Sequence, residues 1–221
     1  MIFHIIDLGH DIFKKNDKLA AKNREKFKKH KVFTVNVMGA IGSGKTTLIS
    51  LAIEKLKKEY NVAVIAGDVI ADMDASRFSQ LGIPTIPANT GKECHLDANI
   101  VNQSLNRVNL DEIDILFMEN VGNLICPADF DLGEDLRIVV VSVSEGDDIV
   151  LKHPVVFQKA DIAVINKIDI ADAVDVDTEK MVKDVAYLRP GIPILKTSKK
   201  QEETIDLWVS EIIKAYNAKS F

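Results

Sequence analysis

The sequence predicts an α/β fold: a doubly wound, mainly parallel sheet with helices on both faces, preceded by a helical extension. Two observations predict it. Short, near-continuous apolar runs, suited to strands buried on both faces, alternate with longer segments of helical period. A glycine-rich turn, Gly39-Ala-Ile-Gly-Ser-Gly-Lys-Thr46, stands between the first apolar run and the helix after it. Composition agrees, since 221 residues with 47% hydrophobic and 28% charged content suit an ordinary globular domain. The net charge of −5 argues against a broad nucleic-acid-binding surface. The apolar runs fall far short of the ~20 residues that span a bilayer, and the N-terminus lacks the pattern of a signal peptide. A cytoplasmic protein with neither nucleic-acid nor membrane partners is therefore expected. Two cysteines exclude a disulfide framework.

Each element has its own reason. Residues 11–31 carry Lys14, Lys15, Lys18, Lys22, Arg24, Lys26, Lys28, Lys29 and Lys31 against Asp11, Asp17 and Glu25. Ile12, Leu19 and Phe27 recur at helical spacing, which predicts a basic amphipathic helix docked by one apolar stripe. Residues 32–38 read as a strand, 46–60 as a helix, 62–66 as a strand and 84–87 as a short extended piece. Residues 96–105 read as a helix, and 113–118, 136–143 and 162–165 as strands. Helices over 174–188 and 203–215 enclose a last strand at 192–195. No repeat or linker interrupts the chain, so the expected division is a basic helical extension, 1–31, and one domain, 32–221.

The turn fits G-x-x-x-x-G-K-[ST], the phosphate-binding P-loop. Gly39, Gly42 and Gly44 let backbone N–H groups turn inward onto phosphate oxygens, with Ser43 and Thr47 beside them. The following helix adds positive potential. Lys45 is expected to reach the β- and γ-phosphates, and the Thr46 hydroxyl to ligate Mg²⁺. Asn166-Lys167-Ile-Asp169 follows a strand and matches the N-K-x-D guanine motif of GTPases. A carboxylate at Asp169 accepts from guanine N1–H and the 2-amino group, a pair that adenine lacks, so GTP is the expected substrate. Thr197 and Ser198 either close over the base or cap a helix. Glu119 ends a strand in the manner of a Walker B acid, toward Mg²⁺. Among Asp68, Asp72 and Asp74, one or two should reach Mg²⁺ or orient the attacking water, with Asp72 the expected cap of a short helix containing Arg77.

Cys94-His95 and Cys126 offer soft donors of the kind that zinc and nickel take. Three donors are one short of a closed tetrahedral site, and a two-fold dimer would supply the rest. The competing reading is two partly buried structural cysteines and an ordinary histidine.

The stretch from Glu119 to Glu134, which contains Asn120, Asn123 and Cys126-Pro127, resembles the signature of the HypB family, GTPases that help insert nickel into [NiFe] hydrogenases. Residues 90–98 around Cys94-His95, residues 16–27, Asp74-Ala-x-Arg77 and residues 151–154 resemble further stretches of that family. The resemblance implies a P-loop GTPase that dimerises on GTP binding, with Cys94, His95 and Cys126 as Zn²⁺ or Ni²⁺ ligands at the dimer interface. It also implies Thr46, Asp74 and Glu119 as Mg²⁺ contacts with Asp68 close by. The implied partners are a second copy of the chain, the nickel chaperone HypA and the hydrogenase large subunit. Two features of many family members, an N-terminal cysteine motif and a histidine-rich stretch, are missing here, so nickel storage is not expected. A urease-type nickel-maturation GTPase is the near alternative, but that group separates its cysteine and histidine by one residue. The guanine motif argues against the other alternative, a P-loop small-molecule kinase.

Overall fold

The computed structural model describes residues 8–68, 71–91 and 94–220. The chain runs α1 (Leu8–Lys29), β1 (Phe33–Gly39), α2 (Lys45–Leu56), β2 (Val62–Asp68), α3 (Ala71–Ser79), β3 (Thr85–Asn89), α4 (Ala98–Ser104) and β4 (Ile115–Glu119). It continues through β5 (Leu136–Ser142), α5 (Ile149–Lys152), α6 (Pro154–Gln158), β6 (Ile162–Asn166), α7 (Thr178–Leu188), β7 (Ile194–Thr197) and α8 (Glu202–Ala218). The strands form one seven-stranded sheet in the order β3-β2-β4-β1-β5-β6-β7. Every neighbouring pair is parallel. All seven strands therefore end on one edge, where open α/β sheets bind their ligands.

Alternation along each strand sends side chains into layers on both faces. Val35 and Val37 of β1 pack with Leu48 and Ile53 of α2 and with Trp208 and Ile212 of α8. Trp208 is fully buried, and its indole N–H donates to the Leu48 carbonyl at 3.1 Å. On the opposite face Met38, Val139 and Val141 meet Val150, Phe157 and Met181. Further along that face Phe27 of α1 joins Ile65, Leu96, Val101 and Met118.

Element boundaries differ from the sequence reading where capping chemistry decides. The helix expected from residue 96 starts at Ala98, because the Asp97 carboxylate accepts from Ile100 N–H at 2.7 Å. The helix expected from 174 starts at Thr178, capped by Asp177 on the N–H groups of Glu179 and Lys180. The last strand begins at Ile194 rather than 192, just past Pro193, which has no N–H for the ladder. The helix after the glycine-rich turn ends at Leu56, four residues short of its expected end at residue 60. Asp72 lies within α3 rather than before it, so it is not the cap of that helix.

The larger correction concerns α1. Its buried stripe is Asn16, Ala20, Asn23 and Phe27, whereas Ile12 is 54% exposed. The spacing is helical as expected, but half the stripe is asparagine. The Asn16 amide donates to the Asp131 carbonyl at 2.8 Å and accepts from Ala98 N–H at 2.9 Å. The fully buried Asn23 amide donates to the carbonyls of Ala98 (2.8 Å) and Leu132 (3.1 Å). Beside them the Arg24 guanidinium pairs with Asp131 at 2.8 Å. Burial pushes the Asp131 carboxyl up, but Arg24 and the Gly133 N–H outweigh it and hold it below the usual carboxylate range. The helix thus ties together the segment before α4 and the segment before β5.

Candidate functional site

The glycine-rich turn leaves β1 and wraps the start of α2. Its glycines are required where the loop is tightest. Gly44 has φ 100°, and a Cβ there would overlap the Asn166 amide. A Cβ at Gly39 would overlap the Val140 carbonyl of β5 and crowd Ser43 Oγ. Lys45 is 7% exposed and lies over the loop, donating to the carbonyls of Gly39 (3.0 Å) and Ala40 (3.1 Å). Ser43 Oγ is buried without a hydrogen-bond partner among the described residues. A phosphate oxygen would supply that partner. Thr46 Oγ1 donates to Glu119 Oε1 at 2.6 Å, so the hydroxyl and carboxylate expected at Mg²⁺ meet at the end of β4. Hard oxygen donors on a P-loop and a strand-end acid fit Mg²⁺. Asp68 ends β2 and Asp74 lies on α3, and their side chains fall outside the described residues.

At the other end of the loop a cleft of about 280 Å³ is lined by Gly44, Thr47, Asn166, Lys167, Asp169 and Lys200, among others. Asn166 is held on both sides. Its amide N–H donates to the Ser43 carbonyl at 2.9 Å and its oxygen accepts from Thr197 Oγ1 at 2.9 Å. Lys167 takes a left-handed φ of 62°, rare for a residue with a side chain, and its ammonium reaches the Gly42 carbonyl at 2.6 Å. Asp169 accepts from Ser198 Oγ at 2.7 Å and pairs with Lys200 at 3.0 Å. These contacts hold its carboxyl below the usual range, ionised and able to accept from a base. Thr197 and Ser198 therefore hydrogen-bond the two ends of the N-K-x-D segment.

The Cys94, His95 and Cys126 ligand atoms all lie within 4.8 Å of one another. They come from two loops, after β3 and after β4. The neighbouring Cys126 thiol, with burial second, pushes the Cys94 thiol up. His95 is 8% exposed and its ring stacks on Phe130 with centroids 3.8 Å apart. Phe130 in turn meets Phe13 of α1 at 5.3 Å. Two thiols and an imidazole fit a soft or borderline metal such as zinc or nickel.

A profile described as the nucleotide-binding domain of CobW/HypB/UreG matches residues 33–196. The chain is 54% identical over 202 residues to the probable hydrogenase maturation factor HypB of Methanocaldococcus jannaschii, covering 91% of each chain. The crystal structure of HypB from Archaeoglobus fulgidus superposes with a TM-score of 0.87 at 44% identity, over 92% of this chain and 99% of that one. The chain belongs to the HypB family. HypB from Helicobacter pylori, solved in complex with nickel, superposes with a TM-score of 0.88 at 32% identity, over 94% of this chain and all of that one. The HypB fold is thus the P-loop nucleotide-binding fold that the sequence predicts.

Several residues around the site were given no structural role by the sequence reading. Asn36 of β1 and Asn120 bond to each other at 3.2 Å, fully buried, and Asn36 donates to Glu134 at 3.0 Å. Polar residues in a central strand are a signal of such a network. Glu145, after β5, accepts from Ser142 N–H at 2.8 Å. Burial pushes its carboxyl up, opposed by that N–H and by the charges of Lys45 and Lys167. Phe130 lies in the Glu119–Glu134 stretch but was given no role, since only its contact with the His95 ring supplies one.

Proposed function

We propose that the chain is a GTP-hydrolysing metallochaperone that helps deliver nickel to the [NiFe] hydrogenase large subunit. It is a homodimer when GTP is bound, with Cys94, His95 and Cys126 forming a Zn²⁺ or Ni²⁺ site at the dimer interface. The nickel chaperone HypA is the other partner, by family resemblance. The observation that carries this reading is the convergence of the three soft donors within 4.8 Å, on loops leaving the strand edge where Thr46 meets Glu119. Both cysteines are free thiols, as suits a cytoplasmic protein. Among the described residues no helix is long and apolar enough to cross a membrane.

The residues divide the work. Gly39, Gly42, Ser43 and Gly44 cradle the phosphates, and Lys45 leaves the Gly39 and Ala40 carbonyls for the β- and γ-oxygens. Thr46 and Glu119 would hold Mg²⁺, with Asp74, and Asp68 would orient the attacking water. When bound, the ion neutralises the charge shared by the β- and γ-phosphates. Asn166 and Asp169 select guanine, and Lys167 lies along the nucleotide. Ile41 on the P-loop is 85% exposed and Ile125 beside Cys126 is 64% exposed, an apolar pair suited to burial against a second copy.

Size-exclusion chromatography with light scattering tests the reading, with GDP, with a non-hydrolysable GTP analogue, and with the analogue plus Ni²⁺ or Zn²⁺. The expected result is a dimer with the analogue, strengthened by metal in the native protein and not in Cys126→Ala. A monomer in every state would refute the interface site.

A further inference from the structure

We propose that Asn123 is the residue through which the phosphate loop reads and sets the metal site, a positioning role that rests on the function proposed above. Asn123 is hydrogen-bonded in both directions. Its backbone N–H donates to the Gly39 carbonyl of the P-loop at 3.0 Å, in an isolated bridge between the two residues. Its side-chain amide donates to the Cys94 carbonyl at 3.3 Å. Its side-chain oxygen accepts from Ile125 N–H at 2.9 Å, fixing the turn that presents Cys126. One residue thus touches the phosphate loop, the backbone of one thiol ligand and the approach to the other.

The contact with the P-loop is not confined to that bond. A Cβ at Gly122 would lie 3.0 Å from the Ile41 backbone nitrogen, so this glycine lets the P-loop tip press on the chain beside Asn123. A second asparagine anchors the other side of the histidine. Asn120 Oδ1 accepts from Leu96 N–H at 2.9 Å, and Asn120 directly follows Glu119. The Cys94–Leu96 backbone that carries His95 therefore hangs from two points on the chain leaving β4. Asn120 is 1% exposed and bonded within the core, and serves as the fixed post. Asn123 is bonded to a group whose surroundings change with the nucleotide.

That group is the Gly39 carbonyl. It accepts from both Lys45 Nζ and Asn123 N–H. A β- or γ-phosphate competes with that oxygen for the Lys45 ammonium, whereas the Asn123 N–H donates to it in either case. Lys45 engaged on the loop carbonyls or shared with a phosphate would supply the two-state element that coupling between sites requires. Asn123 transmits the difference to the Cys94 carbonyl. The device works in reverse as well, since a metal that pulls Cys94 and Cys126 together strains the same bonds.

The test is the ratio of metal affinities in two nucleotide states. Ni²⁺ affinity is measured by competition with a chromophoric chelator, with GDP and with a non-hydrolysable GTP analogue, for the native chain, Asn123→Ala and Asn123→Ser. Alanine removes both side-chain bonds, and serine keeps an oxygen for Ile125 N–H but is too short to reach Cys94. In the native chain the two affinities should differ by about 5- to 150-fold, the ordinary range of coupling between sites. In both variants the ratio should fall to about twofold or less, the loss of coupling expected when the link is cut. By reciprocity the effect of Ni²⁺ on GDP affinity should shrink by the same factor. Variants that bind Ni²⁺ more weakly by one factor in both states, with the native ratio intact, would show a merely structural Asn123 and overturn the inference. A native ratio of one would instead refute the coupled metal switch itself, and the inference with it.

Discussion

Replacing Asn23 by alanine measures how much α1 contributes to holding the metal loops together. The side chain is fully buried, and its amide supplies one hydrogen bond to Ala98 O at 2.8 Å and one to Leu132 O at 3.1 Å. Each bond contributes roughly 1 kcal/mol net, and a buried carbonyl left without its donor costs roughly 1–3 kcal/mol. Two carbonyls stranded together give about 2–6 kcal/mol. At ~2–4 °C per kcal/mol for a chain of this size, Tm should fall by about 4–24 °C. The neighbouring Arg24–Asp131 pair is a control, because its side chains are 48% and 35% exposed. Arg24→Ala should cost only about 0.2–1 kcal/mol, since solvent screens the pair. Thermal unfolding followed by circular dichroism gives both values. Amide exchange along α1 shows whether the helix loosens before the sheet. A Tm loss below about 2 °C for Asn23→Ala, or one smaller than for Arg24→Ala, would refute the claim that buried amide bonds dock this helix.

Three further outcomes are expected. Asp169→Ala should weaken GDP binding by about 1–3 kcal/mol while leaving the weak binding of ADP nearly unchanged, as read by competition against a fluorescent nucleotide. Gly44→Ala should abolish nucleotide binding with the fold intact by circular dichroism, because the added methyl group meets the Asn166 amide and φ 100° is strained for alanine. The Asp131 carboxyl has a folded pKa below its unfolded value of about 3.9, so its stabilisation is present above that pH and disappears as the pH falls through the folded value. The stability gap between the native chain and Asp131→Asn should therefore be constant from pH 7 to about 5 and close below about pH 4.

The sheet was legible because its strands are buried on both faces and so read as continuous apolar runs. β5, with burial nearly complete along Leu136–Ser142, is the clearest instance. The P-loop and guanine motif were legible because their chemistry lies in consecutive residues. The docking of α1 was not. A search for apolar periodicity finds Ile12, Leu19 and Phe27, but burial follows Asn16, Ala20, Asn23 and Phe27. Asparagine enters a buried stripe only when backbone carbonyls and N–H groups await it, and those of Ala98, Asp131 and Leu132 lie far away in sequence. Local spacing carries no information about such partners. Helix starts were misplaced by two to four residues for a related reason. Asp97 and Asp177 are ordinary aspartates in the sequence and become caps only through their backbone geometry.

The metal cluster shows what strand order adds to residue type. Cys94-His95 and Cys126 stand on opposite sides of β4 in the sequence, and their types alone favoured structural cysteines. In the sheet, β2 lies between β3 and β4, so the loops leaving β3 and β4 project from the same edge two strands apart. The loop after β4 crosses toward β1, where Asn123 pairs with Gly39, and the loop after β3 reaches over β2 to meet it at the Asn123–Cys94 hydrogen bond. A thiol on each loop and a histidine pinned by Phe130 then converge because the sheet is parallel throughout and the chain leaving β4 must pass over its edge. The same strand ends at Glu119, against Thr46. The carboxylate expected at Mg²⁺ and the thiol expected at the soft metal are thus seven residues apart on one segment that also touches the P-loop. Any nucleotide-driven movement of that segment moves Cys126 with it.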